Sequence, residues 1–320
     1  MPQHAAAPAA PAAPLLADGG ARSLPGTEAS RRLLAPEGDA RPLTLWGSSS
    51  MSSEGGDAAT PLTVRIHEHL ALALAPAVVH AYGVGATRSP HTVLMRGLDT
   101  PHLALLGDPA PGTGQVPVEL DSGLTPAGPL RIPGDLSGVP GMLDGSSGSW
   151  LFAPDDPAAS LEAGTFRSSL ATVAEGSRQV LWMGKNNIHQ VERVLEDTQR
   201  MWDAAADPEH DTLVLGQWAT PSDPVGSATA EAVAQVSAEQ QRRYGDHFLD
   251  LGELLTSESG LSCPPLAPLR LLEQATTHAA LEQGIVPADL RAPDDIHLNG
   301  WGNLAVSWAI VRRLRELRWL

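Results

Sequence analysis

A single cysteine, Cys263, in a chain of 320 residues excludes an intrachain disulfide and any zinc site built on thiolates. It falls in the proline-rich connection SCPPLAP and reads as a packed, idle thiol rather than a nucleophile. Lysine is nearly absent as well. Lys185 is the only one, and lysine plus arginine number 21 against 37 acidic residues, a net charge of −16. Phosphate binding needs clustered cations, and no basic stripe interleaved with aromatics occurs, so a nucleic-acid partner is excluded. No apolar run approaches the roughly 20 residues of a membrane span. The opening MPQHAAAPAAPAAPLLADGG lacks the basic start and apolar core of a signal peptide. Its prolines break helices, and residues 1–38 are expected to form a disordered Ala/Pro-rich tail. What remains is an ordinary globular composition, 42% apolar, long enough to bury a large core.

The pattern after the tail is α/β. The run Leu43–Trp46 reads as a buried strand that stops at Gly47 and enters GSSSMSSEGG. Residues 60–75 carry apolar positions at helical spacing (Leu62, Ile66, Leu70, Leu72, Leu74), with Thr60 and Pro61 suited to the helix start. A strand over 77–85 and a helix from Ser89 to Arg96 follow. Strand, helix, strand, helix is the order of a parallel sheet covered by helices. From 98 to 169 the rhythm breaks into Gly and Pro, with short apolar pieces QVPVEL, PLRIPG and SWLFAP between turn signals. That stretch is too long for a loop and is expected to be a β-rich insertion. Strands are then expected over 178–187 and 212–219, and a last short one within 247–255. Helices are expected over 188–206, 229–244, 268–283 and 301–318. The fold class that follows is a three-layer α/β/α sandwich with a parallel, flavodoxin-like sheet.

Several strands lose their apolar character at the C-terminal end, where open α/β sheets bind ligands. Four loops are therefore of interest: 47–54, 83–89, 184–189 and 292–300. In the last, DDIHLNGWGN, Asp294 stands three residues before His297. A carboxylate so placed can hold the ring Nδ1–H and leave Nε2 free to take a proton from a hydroxyl. Asp295 is the alternative partner, or a cap for the following turn. In the first loop, Ser49 directly follows Gly-x and is favoured as nucleophile over Ser48, Ser50, Ser52 and Ser53. Oxyanion donors are available from the Ser49 N–H, from the Gly85 or Ala86 backbone in GVGA, and from the Asn186 amide in GKNN. His189, beside GKNN, is a candidate for lining the cleft. Trp301 is read as packing, with an acyl or sugar contact as the minor alternative. Trp150 and Trp182 are read as core residues. His67 and His69 alternate on a helix and do not converge on a metal; His80 and His91 read as packed.

Taken in order, Gly47-Ser48-Ser49, Gly83-Val84-Gly85-Ala86, Gly184-Lys185-Asn186-Asn187 and Asp294-Asp295-Ile296-His297 resemble the blocks of the SGNH hydrolase superfamily, the GDSL esterases. The resemblance covers roughly 40–99 and 176–320. It implies Ser49 as nucleophile, His297 as base and then acid, and Asp294 as its orienter. It also implies Asn186 and the 85/86 backbone as oxyanion donors, with no cofactor and no metal. Two family aspartates are replaced, by Ser48 and by Asn187. The ungapped match puts Ala86 at the family glycine, where use of its N–H calls for a negative φ; Gly85 is the alternative. The insertion and LWMGKNN are also similar to SGNH domains in tail proteins of actinobacterial phages. The compartment stays open, with cytoplasmic and virion-associated locations both compatible.

The activity implied is that of a metal-independent serine esterase removing small acyl groups, such as acetyl, from an acylated small molecule, polysaccharide or cell-envelope glycan. The rivals are a non-catalytic carbohydrate-binding or virion structural module on the same fold, and a lipase or thioesterase.

Overall fold

The computed structural model describes residues 41–60 and 63–320. The expected tail, 1–38, lies outside them, as do Pro61 and Leu62. The described residues build two sheets. The first holds five strands, all parallel: β1 (Leu43–Gly47), β2 (Val79–Gly83), β9 (Arg178–Trp182), β10 (Thr212–Leu215) and β11 (Phe248–Leu249). Their order across the sheet is β11-β10-β9-β1-β2. Register pairs Gly47 with Gly83 on one side and with Trp182 on the other, so three strand ends finish level.

Helices cover both faces. Leu43, Leu45, Val180, Trp182, Leu213 and Leu215 cluster with Ile66, Leu70 and Leu74 of α1 (Ile66–Leu74) and with one stripe of the C-terminal helix Gly300–Glu316. The alternate residues Trp46, Leu181, Val214 and Phe248 cluster with α2 (Ser89–Met95) and with Met201 and Trp202 of the helix Val191–Asp203. This alternation is the period-2 consequence of the strand, read by a different helix layer on each side.

Between β2 and β9 lies a closed antiparallel barrel of six strands: β3 (His102–Leu105), β4 (Val116–Leu120), β5 (Arg131–Leu136), β6 (Val139–Asp144), β7 (Leu151–Pro154) and β8 (Gly164–Ser168). Three of them coincide with QVPVEL, PLRIPG and SWLFAP. Its interior is filled by Leu103, Val116, Val118, Ile132, Leu143, Phe152 and Phe166, which belong to the same apolar cluster as Trp46 and α2. The phenyl rings of Phe152 and Phe166 meet edge to face at 6.4 Å. A short helix, α3 (Leu170–Ala174), leads back to the sheet.

The remaining helices are α4 (Val191–Asp203), α5 (Pro208–Asp211), α6 (Ala228–Tyr244), α7 (Leu251–Thr256), α8 (Glu258–Leu261), α9 (Ala275–Glu282) and α10 (Gly300–Glu316). Several boundaries differ from the expectation: β9 ends at Trp182 and β10 at Leu215, each a few residues early, and three others have a visible cause. α1 begins at Ile66 rather than near residue 60, because the Ser53 hydroxyl accepts the Ile66 N–H at 2.9 Å and fixes the first turn there. Leu72, counted with the apolar stripe, is exposed. The stretch 247–255 is two residues of strand followed by α7, because the Asp250 carboxylate accepts the Glu253 N–H at 3.0 Å and caps a helix. Ahead of α9, the region from 264 to 273 is wound as 3₁₀ turns around its prolines.

Cys263 is buried, and burial pushes its thiol pKa up, which keeps it protonated. No helix among the described residues is long and apolar enough to cross a membrane.

Candidate active site

The serine run turns on two residues that are not serine. A Cβ on Gly47 would collide with the Trp182 carbonyl and stand 2.8 Å from the Met51 Cβ, so the strand can end there only as glycine. Met51 is fully buried in the core and pins the turn from below. Around it the backbone winds helically, with Ser52 N–H donating to Ser48 O at 3.1 Å and Glu54 N–H to Ser49 O at 3.1 Å. The hydroxyls then divide. Ser53 caps α1. The Ser52 Oγ donates to Ser49 O at 2.8 Å and lies 3.4 Å from Glu54 Oε1. Ser48 is buried. Ser49 and Ser50 are half-buried, and the Ser49 Oγ makes no hydrogen bond among the described residues.

The loop after β2 packs directly on this turn. A Cβ on Gly83 would collide with the Ser52 nitrogen and stand 2.7 Å from the Met51 carbonyl carbon. Val84 N–H donates to Gly47 O at 3.2 Å, and the Thr87 hydroxyl donates to Val84 O at 2.7 Å. Ala86 has φ +61°, in the left-handed region, against the negative φ expected for its use as a donor; Gly85 is the residue left for that role.

The loop after β9 is tied to the second. The Asn186 amide donates to Thr87 O at 2.8 Å. Asn187, where the resemblance implies an aspartate, does more than accept. Its Oδ1 takes the Ser89 N–H at 3.0 Å, and its Nδ2 donates to the Ser89 hydroxyl at 3.0 Å. That hydroxyl donates in turn to Asp197 Oδ2 at 2.7 Å, which also receives Arg193 Nε at 3.0 Å. Asp197 is buried, and burial raises its pKa against the pull of Ser89 and Arg193. The negative charge thus lies one layer behind Asn187. Lys185 Nζ closes the back of the loop on Asp223 at 2.8 Å and on Trp218 O at 3.0 Å.

The fourth loop holds the dyad. Asp294 Oδ2 accepts from His297 Nδ1 at 2.7 Å, while Oδ1 accepts the N–H groups of Ile296 and His297 at 2.9 and 3.0 Å. Partial burial raises the Asp294 pKa, but these hydrogen bonds and the nearby imidazole outweigh it and leave the value at about 2. Asp295 points elsewhere and pairs with Arg291. The loop touches the serine turn at Gly55, where a Cβ would stand 3.1 Å from the His297 Cβ and 2.8 Å from the Ala292 Cβ. His297 is 15% exposed, and its Nε2 faces the Glu54 carboxylate at 3.6 Å.

Glu54 is the residue that the sequence did not single out. It is the only acid between Gly47 and Gly56, ahead of two glycines in SEGG, and that isolation was the available signal. The two remaining candidates lie apart from the dyad. His189 is exposed, lies 3.1 Å from the Thr229 hydroxyl, and lines an open groove of about 920 Å³ with Arg88, Leu124 and Arg193. Trp301 is half-buried and donates its Nε1–H to Ala59 O at 3.1 Å.

The barrel reaches the site as well. Gly128, at φ +57°, lies with its backbone against Gly85 O, and a Cβ there would collide with that oxygen. His91 Nδ1 accepts the Arg88 N–H at 3.1 Å, and its Nε2–H donates to Thr125 O at 2.8 Å, which fixes the neutral tautomer.

No protein-family model matches the chain, and no curated protein matches it in sequence. Two solved structures align with most of it. The "putative arylesterase" of Agrobacterium tumefaciens is 14% identical, with a TM-score of 0.39, over 87% of this chain and 99% of that one. A carbohydrate acetylesterase family member from Sinorhizobium meliloti is 12% identical, with a TM-score of 0.41, over 88% of this chain and 100% of that one.

Proposed function

We propose that the protein is a serine esterase of the SGNH type that removes small acyl groups, with residues 39–320 as one hydrolase domain and the barrel as its insertion. The strand order β2-β1-β9-β10-β11 supports a flavodoxin-like, three-layer sheet, with ligands at the carboxyl ends of its strands. The observation that carries the reading is the dyad. Asp294 holds His297 at 2.7 Å on a loop packed against the same turn that bears Ser49.

In this mechanism the Ser49 Oγ attacks the ester carbonyl carbon and His297 Nε2 takes its proton. The tetrahedral oxyanion is held by the N–H groups of Ser49 and Gly85 and by the second amide hydrogen of Asn186. His297 returns the proton to the leaving alkoxide, and an acyl-Ser49 forms. Water then attacks the acyl carbon with His297 as base, and the acid and free Ser49 result. Asp294 keeps Nδ1–H engaged and stabilises the imidazolium at each turn. The Glu54 side chain, 47% exposed, swings aside to let the substrate carbonyl in.

The preferred substrates are acetylated glycans of a cell envelope, a reading supported by a groove whose lining includes the hydrogen-bonding side chains Arg88, His189, Gln190 and Gln235, where Arg88 and His189 belong to the loops after β2 and β9. The specific observation favouring the non-catalytic module is Glu54, which stands where the base should meet the nucleophile. Hydrolysis of p-nitrophenyl acetate by wild type and Ser49→Ala decides between them. A loss of about a thousandfold or more supports the esterase, and equal rates remove it. A shift of preference toward long acyl chains on a series of p-nitrophenyl esters would make the enzyme a lipase or thioesterase.

A further inference from the structure

Glu54 sits among the three parts that a scissile carbonyl must touch. Its backbone is bonded to Ser49 O, its Oε2 lies 3.6 Å from His297 Nε2, and its Oε1 lies 3.4 Å from the Ser52 hydroxyl. The same Oε1 is the nearest atom to a Cβ built on Gly85, at 2.5 Å. The carboxylate therefore lies between the imidazole and the candidate oxyanion loop. No lysine or arginine among the described residues pairs with it. Arg291 is taken by Asp295, Arg65 by Glu68, and Arg88 binds the Thr125 hydroxyl. The side chains of Glu54 and Asp294 are each 47% exposed, and the His297 imidazole lies against both, with Nε2 toward Glu54 and Nδ1 on Asp294.

We propose that Glu54 sets substrate specificity by selecting esters that carry a cationic nitrogen close to the scissile bond, as in esters of choline, of other amino alcohols or of amino sugars with a free amine. This rests on the esterase reading above. A neutral ester has to displace the carboxylate from His297 with nothing to receive it. An ammonium group gives the carboxylate a new partner, draws it off Nε2, and leaves that nitrogen to face Ser49. An anionic substrate meets an unpaired like charge at the same place. The pair is half exposed, so the discrimination is modest and falls with added salt.

The test uses two acetate esters of one shape, acetylcholine and 3,3-dimethylbutyl acetate, which differ in charge. Wild type is expected to prefer the cation in kcat/KM by about fivefold. Glu54→Gln brings the ratio close to one and speeds the neutral ester, while Glu54→Asp keeps the preference. An unchanged ratio in Glu54→Gln, with hydrolysis still dependent on Ser49, overturns the role of Glu54 alone. Failure of wild type to hydrolyse any of the three esters, p-nitrophenyl acetate included, overturns the esterase reading and this inference with it, whereas hydrolysis of p-nitrophenyl acetate without the choline ester overturns this inference alone.

Discussion

Asp294 binds His297 at two points: Oδ2 accepts the ring Nδ1–H at 2.7 Å and Oδ1 accepts the backbone N–H of the same residue at 3.0 Å. One carboxylate thus fixes both the tautomer of the imidazole and the path of the chain that presents it. Asp294→Asn is expected to lower kcat by about a hundredfold to ten-thousandfold with the fold intact, because the amide favours the wrong tautomer. The acid's own titration gives a second readout. Its pKa is about 2 in the folded chain, against about 3.9 unfolded. The stability that it contributes is complete above about pH 4 and disappears as pH falls through about 2. The protection of the Ile296 and His297 amides relative to their intrinsic exchange should fall as pH drops through that window in wild type and be flat in Asp294→Asn.

Asn187→Asp restores the residue expected from the family pattern and is predicted to do harm. Ser89 has one hydroxyl hydrogen, already given to Asp197, and receives its own bond from Asn187 Nδ2. A carboxylate at this position removes that donor and sets a second negative group against a buried one. Destabilisation of about 1–3 kcal/mol at pH 7 is expected, relieved as pH falls toward about 5. Urea unfolding at the two pH values measures it. An Asn187→Asp variant as stable as wild type at pH 7 would contradict the network.

His91 joins the core to the barrel as a neutral ring, and burial pushes its pKa below the ordinary histidine value. The unfolded chain therefore binds a proton at His91 first. Stability held above about pH 6.5 is lost as pH falls toward the folded pKa, with a slope of at most about 1.4 kcal/mol per pH unit. The difference in melting temperature between pH 7.5 and pH 5.5 should be smaller in His91→Gln than in wild type.

The loops that carry the candidate site could be found in the sequence because three of them lie where a strand gives way to glycine and polar residues. Gly47, Gly83 and Gly184 mark those ends, and the Asp-x-x-His spacing marks the fourth. The start of α1 was not legible, because its cap, Ser53, comes from a loop thirteen residues earlier. Phe248–Leu255 satisfied both a strand and a helix period, and only the Asp250 cap decides between them. β3, β6 and β8 were not legible because HLAL, VPGMLD and GTFRS each mix buried positions with partly or fully exposed ones. Glu54 could not be placed at all from its neighbours. Its position follows from three loops meeting, which no local pattern encodes.

The apposition of Gly128 on the Gly85 carbonyl has a bearing on how such a chain diversifies. A barrel that merely hung from the sheet could be exchanged or lost without consequence to the chemistry. Here one of its connecting loops is seated on the Gly85 carbonyl, beside the candidate site, by a backbone contact that leaves no room for a Cβ. A change in the barrel loop at Gly128 is therefore transmitted to the backbone at Gly85.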